Sequence, residues 1–337
     1  MTLDAYMDQM LPALENDLRE EIEAHIPPEL IELREMLAYH LGWEGENAGP
    51  EARGKRLRGL ITLLSCAVAG GDWHKALPAA VAVELIHNFS LLHDDIQDKS
   101  ELRRGRPAVW VLWGVPQAIN AGDTLYTLAF MALARLETTA SAQIALRANA
   151  LLAHACLRLT QGQFLDLSYE QRPVIGLTDY WPMVEGKTSA LIAACAELGA
   201  VCAEADETAQ AAFQQFGQYL GLAFQVQDDY LGLWGNEALT GKSSDSDLAT
   251  GKKTLPVLYG LSLAGPFAQR WASGPIPPAE VKRVAEMLAE EQAREYTLET
   301  SSRLTHLALE ALSIAGRASQ AAEALFELAD RLLQRQS

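Results

Sequence analysis

Apolar residues recur at three-to-four spacing along most of this chain, and that period predicts helices. Leu3 to Ala24 shows it with acids between, Pro27 and Pro28 break it, and Glu29 to Gly42 resumes it. Glu44 to Arg53 is polar, with Gly and Pro, and reads as a loop. Arg56 to Ala69 is apolar and ends at Gly70-Gly71; Leu77 to Asp98 is long and apolar on every face until its acidic end. A helix apolar all round is a buried one. Arg103-Arg104-Gly105-Arg106-Pro107 interrupts as a basic loop. Helical segments follow at Gln117–Thr139, Ala142–Ser168, Thr178–Ala203 and Glu207–Leu233. The stretch from Gly235 to Lys253 is polar and long for a loop, which marks it as functional or mobile. Pro256 to Ala264 returns to helix, Gly274 to Pro278 is a turn with a possible hinge, and two or three amphipathic helices fill the rest. No strand alternation persists. The fold expected is all-α: one domain over residues 1–337, a bundle of ten or more helices around a central cavity.

Composition narrows the partners. The 337 residues are 49% hydrophobic and carry a formal net charge of -17. An acidic surface argues against nucleic acid, whose phosphates need a basic one. The four cysteines show no zinc-ligand spacing and sit in apolar segments, so free buried thiols and a cytoplasmic setting are expected. No signal peptide is evident at the start, and no long uncharged apolar run predicts a membrane span.

Against that acidic background two features stand out. Asp94-Asp95-x-x-Asp98 closes the most apolar helix, and Asp228-Asp229 lies near the end of another. Residues four apart share a helix face, so Asp94 and Asp98 point the same way. Carboxylates so close repel unless a cation sits between them, and Mg²⁺ takes such ligands together with substrate phosphates. The basic residues gather beside Gly: Lys55, Arg56 and Arg58; Arg103, Arg104 and Arg106; Lys187; Lys242; Lys252 and Lys253. Arg offers a planar fork to phosphate and Lys a compact point charge. Acidic pairs with basic loops suit the holding of a diphosphate, through metal ions and direct cations together. Singly, each of these features also reads as ordinary surface charge.

The order of the motifs resembles the trans-type isoprenyl diphosphate synthases of the polyprenyl synthetase family. The resemblance spans residues 54–256: Gly-Lys-Arg-Leu-Arg at 54–58, His87, Asp-Asp-Ile-Gln-Asp at 94–98 and Leu-Arg-Arg-Gly-Arg-Pro at 102–107. Gly-Gln-Phe-Leu-Asp-Leu at 162–167, Gly-Lys-Thr at 186–188 and Phe-Gln-Val-Gln-Asp-Asp-Tyr at 224–230 follow. Thr-Gly-Lys at 240–242, Ser-Asp-Leu at 246–248 and Lys-Lys-Thr-Leu-Pro at 252–256 complete it. The resemblance implies head-to-tail prenyl transfer: an allylic diphosphate ionises with the help of three Mg²⁺, isopentenyl diphosphate attacks, and a proton leaves with the diphosphate as its acceptor.

Carried over by position, Asp94, Asp95 and Asp98 ligate two ions and Asp228 a third, with Asp229 in support. Arg103, Lys187 and Lys252 bind the allylic diphosphate; Lys55, Arg58, His87 and Arg104 bind isopentenyl diphosphate; Lys242 is a further substrate-binding residue. Thr188 and Gln225 place oxygens near the cationic carbons, and Gln163 and Asp166 back the metal cluster. Phe89, with the small Ser90 after it, would set product length and favours geranylgeranyl diphosphate over farnesyl or longer products. The family likeness also implies a homodimer. Gly232 departs from the family pattern where a third aspartate of the second motif is usual, and Arg53 and Gly59 depart beside the first basic motif.

Three rivals share part of these features. His93-Asp94 with His74 and His87 matches a metal phosphohydrolase core but leaves the second acidic pair unexplained. A class I terpene cyclase needs no isopentenyl site. A non-catalytic synthase subunit would be expected to have lost carboxylates.

Overall fold

The computed structural model describes residues 1–172, 174–235, 246–315 and 319–333. Nearly all of the regular structure is helical. The longer helices are α1 (Leu3–His25), α2 (Ile31–His40), α3 (Leu57–Val68), α4 (Leu77–Gln97), α5 (Val115–Ala134), α6 (Ala142–Gln171) and α7 (Ala190–Cys202). They continue with α8 (Glu207–Trp234), α9 (Leu255–Ser262), α10 (Val281–Glu290), α11 (Ala293–Ala315) and α12 (Gln320–Leu333). Two compact units result. The first comprises Met1–Ala153, Ala194–Ala211 and Gly316–Leu325; the second comprises His154–Ala193, Ala212–Ala315 and Phe326–Ser337. Gly274, marked as a possible hinge, lies inside the second unit.

In the first unit α4 is the central element. Pro78 starts it, where a missing N–H costs nothing. From Pro78 to Ile86 every residue is buried, Glu84 included. Its apolar length passes a composition test for membrane crossing, yet 72% of that stretch is buried inside the protein, as a core helix would be. It packs most extensively on α5, whose Ala118, Ala121 and Ala129 keep the two backbones near. Gly122 permits the closest approach: a Cβ there would lie 2.4 Å from His93 Nε2.

The basic loop is a small β-hairpin. Leu102–Arg103 (β1) pairs antiparallel with Arg106–Pro107 (β2). Arg104 and Gly105 make the turn with φ of 53° and 73°. Two left-handed residues in a two-residue loop match the twist of a hairpin, while strands of two residues are too short to show alternation. The polar stretch after Gly42 likewise contains a short helix, Pro50–Arg53, and the stretch after Gly235 contains another, Ser246–Ala249.

In the second unit, Leu233, Leu248, Val257, Phe267, Val281 and Leu288 belong to one buried cluster. The helix expected over 178–203 is broken into pieces. Leu177–Asp179 is 3₁₀, Tyr180–Val184 is α, Glu185–Ser189 is a π turn, and α7 follows.

One ion network ties the N-terminus to the core. Arg135, at the end of α5, reaches Asp17 (2.5 Å) and Glu21 (2.7 Å) on α1. Glu21 is 1% exposed, so removing its partner strands a buried charge. Arg135 itself is 37% exposed, and solvent discounts the loss. Arg135→Ala is expected to cost about 2 kcal/mol of stability, read as a fall in the thermal or urea midpoint, with Arg135→Lys recovering part of it.

Candidate functional site

Three groups of side chains carry the chemistry, two in the first unit and one in the second. The first is the end of α4. Asp94 is half-buried and Asp98 exposed, one turn apart on one face. Asp95 is placed differently from the metal role expected of it. It is 1% exposed, and Oδ1 accepts from Arg103 Nε (2.9 Å) and Nη2 (2.5 Å). Burial raises its carboxyl above the usual range, with Arg103 opposing. Asp95 thus anchors the hairpin to α4 and fixes Arg103 beside the outward carboxylates.

The second group is a nest of positive charge. Arg56 adopts the left-handed conformation before α3 and binds Glu15 (3.0 Å) and the Leu41 carbonyl (3.1 Å). That turn sends Lys55 to the surface while Arg58 stays half-buried. Gly54, at φ +72°, lies under the Arg104 guanidinium, whose Cζ would be 2.8 Å from a Cβ there. Arg104 Nη1 donates to the Ala52 carbonyl (2.8 Å). Burial and the neighbouring Arg56 lower Arg104 to about 10. His87 is held well below the ordinary imidazole range by burial and by Arg58 and Arg104. Glu84 accepts from Gly59 N (2.9 Å) and is the acid that acts on both Arg58 and Arg104. Even so, Arg53 Nε, Arg56 Nη1, Arg58 Nε and His40 Nε2 are buried without hydrogen-bond partners. Buried guanidinium donors without acceptors are costly, and an anion is the kind of group that would satisfy them.

The third group lies in the second unit. Gly162 on α6 meets Gly186 in the π turn; a Cβ on Gly162 would stand 2.0 Å from Lys187 N, and one on Gly186 2.6 Å from the Arg158 carbonyl. This glycine crossing is what lets the turn lie against α6. It brings Lys187 Nζ into an ion pair with Asp166. Thr188 Oγ1 donates to Gln225 Oε1 (2.8 Å), and Gln225 Nε2 donates to Asp229 Oδ1 (2.9 Å). Asp229 Oδ2 accepts from Tyr180 OH (2.8 Å) and Leu255 N (2.9 Å). Asp229 is 5% exposed and burial pushes it up to about 7 against those donors. It therefore orients Gln225 instead of standing open as a metal ligand, whereas its neighbour Asp228 is exposed. Gln163 is buried one residue after the crossing.

The adjacent lysines divide. Lys253 donates to the Tyr169 and Arg172 carbonyls at the end of α6, and Lys252 is exposed. Lys242 lies outside the described residues. At Gly232, four residues after Asp228, a Cβ would lie 2.5 Å from Asp247 Oδ2. The Asp247 carboxylate thus lies against the backbone at position 232. Phe89 packs edge-on to His93 (4.7 Å between centroids) and tilted on Tyr126 (5.1 Å), which meets Phe130. Ser90 Oγ donates to the His87 carbonyl (2.8 Å).

Sequence reasoning missed His40, Glu84 and Tyr180, and gave Asp247 no role beyond its place in a motif. Each acts through a partner distant in sequence, and only the buried polar positions inside apolar helices hinted at the first two. The histidines of the phosphohydrolase reading do not gather: His74 is at the surface with Asp72, His93 faces α5, and His87 faces arginines. Among the described residues no three His, Cys, Asp or Glu side chains form a ready metal cage. The outward donors are carboxylate oxygens alone. That set fits Mg²⁺, which keeps waters and shares ligands with phosphate. A groove of about 940 Å³ beside α1, α2 and α5 includes none of these groups.

Residues 47–290 match the Polyprenyl synthetase family. The chain belongs to that family. It is a prenyltransferase. It is 44% identical over 273 residues to a geranylgeranyl diphosphate synthase of Mycobacterium tuberculosis, covering 78% of this chain and 77% of that one. It is also 42% identical over 243 residues to a (2E,6E)-farnesyl diphosphate synthase of the same organism, covering 72% and 67%. The structure of a geranylgeranyl pyrophosphate synthetase from Pyrococcus horikoshii superposes with a TM-score of 0.89 at 34% identity over 98% of each chain. The polyprenyl synthetase thus shows the all-α fold expected from the periodicity.

The Asp229 network gives a pH test. Tyr180→Phe removes a donor that favours the carboxylate, so the Asp229 pKa rises further. Since the ionised form is the one that orients Gln225, the acid limb of the kcat profile is expected to move to higher pH. Stability should fall by about 1 kcal/mol, checked by urea titration beside the pH profile.

Proposed function

We propose that this prenyltransferase condenses isopentenyl diphosphate with an allylic diphosphate and that its main product is geranylgeranyl diphosphate. The observation that carries the reading is the nest of buried donors without acceptors around Arg58 and Arg104, which fits a diphosphate. Lys55, Arg58, His87 and Arg104 bind the isopentenyl diphosphate. Arg103, Lys187 and Lys252 bind the allylic one, with Lys242 a further substrate-binding residue. Asp94, Asp98 and Asp228 are the residues that would hold Mg²⁺, three ions being the family expectation, with Gln163 and Asp166 behind them. When bound, the metal neutralises the leaving diphosphate and stabilises the charge that develops on it.

The chain's own groups do the rest. Lys187 adds a point charge to the leaving group. Thr188 and Gln225 present oxygens to the allylic carbons as they become cationic, and Asp229 keeps the Gln225 amide turned so that its oxygen faces Thr188. The carbon–oxygen bond breaks, the isopentenyl double bond forms the new carbon–carbon bond, and the departing diphosphate receives the proton. No protein base is required. Phe89 limits the growing hydrocarbon, with Ser90 leaving room beside it. We further propose a single prenyltransferase domain over residues 1–337, a homodimer, and a cytoplasmic enzyme without a membrane span; the four buried free cysteines support a reducing compartment.

Purified protein assayed with labelled isopentenyl diphosphate and dimethylallyl, geranyl or farnesyl diphosphate tests the reading. Longer diphosphates support it; hydrocarbons would indicate a cyclase, free phosphate a hydrolase, and silence a subunit lacking its partner. Asp94→Ala and Asp228→Ala are each expected to lower kcat by about 100-fold or more. EDTA should stop wild-type turnover and Mg²⁺ should restore it. Phe89→Ala is expected to lengthen the products, read by chromatography of the dephosphorylated alcohols. A farnesyl product from the wild type would select the runner-up assignment, that of a shorter-chain synthase.

A further inference from the structure

By its place in the sequence Arg106 is one of three cations suited to phosphate, with Arg103 and Arg104. The fold turns its head elsewhere. Arg106 is 5% exposed. Nη1 donates to the Tyr39 carbonyl (2.9 Å) and Nη2 to the Glu44 carbonyl (2.7 Å), while Nε is buried without a partner. The guanidinium lies over the Tyr39 ring, 3.8 Å from its centroid. The Tyr39 hydroxyl in turn donates to the Pro107 carbonyl (2.9 Å). Gly45 lets the loop after α2 close on this pair: at φ +87°, a Cβ there would lie 2.7 Å from the Tyr39 ring and 2.8 Å from Arg106 Nη2. Charge-assisted hydrogen bonds and a stacked ring therefore tie β2 to the end of α2 and the loop that follows.

The tie bears on Arg104. Arg106 pairs with Arg103 in the ladder, and Arg104 and Gly105 form the turn between them. Arg104 has φ of 53°, a left-handed conformation that a residue other than glycine keeps only where its surroundings enforce it. One leg of the turn is fixed by Arg103 on Asp95 (2.9 Å), the other by Arg106 on Tyr39 and Glu44. Between these legs the Arg104 guanidinium is set on the Ala52 carbonyl (2.8 Å) and against Gly54. The gripping loop also supplies that backbone: a Cβ on Gly42 would lie 2.4 Å from the Ala52 carbonyl carbon.

We propose that Arg106 is a positioning residue of the isopentenyl diphosphate pocket: without touching the substrate, it clamps β2 to the loop after α2 and so aims the Arg104 guanidinium. The inference rests on the assignment of Arg104 to that diphosphate. Lysine is a poor substitute, because one ammonium neither spans two carbonyls as a planar fork does nor stacks flat on a ring.

Initial rates with isopentenyl diphosphate varied at saturating allylic substrate, and the reverse, test the clamp. Arg106→Ala and Gly45→Ala are each expected to raise the KM for isopentenyl diphosphate about tenfold, with kcat and the allylic KM within about twofold of wild type. Gly45→Ala does so with the hairpin's own sequence intact. Tyr39→Phe is the mildest change, removing one hydrogen bond and little volume, and should raise that KM about threefold. Arg106→Lys should recover only a small part of the loss. Since Arg106 acts through Arg104, the double variant Arg104→Ala/Arg106→Ala should show the KM of Arg104→Ala alone.

Effects that multiply in the double variant overturn the proposal. So does a fall in kcat with both KM values unchanged, which is what a smaller folded fraction gives. Arg104→Ala separates the two levels of the argument. If it leaves the KM for isopentenyl diphosphate unchanged, the pocket assignment fails and the Arg106 inference falls with it. If it raises that KM while Arg106→Ala, Gly45→Ala and Tyr39→Phe do not, the pocket stands and only the role of Arg106 is wrong.

Discussion

Unpaired positive charge inside a strongly acidic chain is the constraint on which the first unit depends. The sequence carries 44 acids against 27 Lys and Arg, so there is no shortage of carboxylates to neutralise buried arginines. Yet the nest around Arg58 and Arg104 retains donors with no acceptor. A fold optimised for stability alone would have matched them, because an orphaned buried donor costs on the order of 1–3 kcal/mol. The acids nearby are committed instead to geometry: Glu15 holds the left-handed Arg56, Glu84 holds Gly59, and Asp95 holds Arg103. Each fixes a basic loop in place without cancelling the field that the loop presents.

Under the proposed role of Thr188 and Gln225, the second unit solves a different problem. A carbocation needs oxygen lone pairs near it but no strong base, which would strip its proton. Thr188 and Gln225 are neutral, and their orientation is enforced from behind by a carboxylate that is itself buried and triply bonded. Acidity is therefore kept one hydrogen bond away from the place where a neutral oxygen is wanted. Asp228, next to it in sequence, is exposed. Two adjacent aspartates thus differ in setting, one exposed and one buried among donors.

Much of this was legible before any coordinates. The apolar period located the long helices within a few residues, and the i, i+4 rule put Asp94 and Asp98 on one face. What escaped was whatever depends on tertiary partners. Nothing in the letters separates Asp95 from Asp94, or Asp229 from Asp228; burial on one side of a helix does. Tyr180 and Asp229 are 49 residues apart, and no local pattern links them. The hairpin was invisible because its strands have two residues each. Lys252 and Lys253 look equivalent in sequence, but one caps α6 and the other is exposed.

The π turn at Glu185–Ser189 has a consequence for how this segment tolerates change in length. Such a turn holds one residue more than the α turn it replaces, so the two flanking helical pieces are out of phase by about 100° relative to an unbroken helix. The offset acts as a fixed rotation. It turns the Lys187 ammonium toward α6 and the Thr188 hydroxyl toward α8 from neighbouring positions. A single deletion there would leave a smoother helix, with better backbone geometry, and would swing both groups off their targets together. Segment length is as much a part of this machinery as side-chain identity.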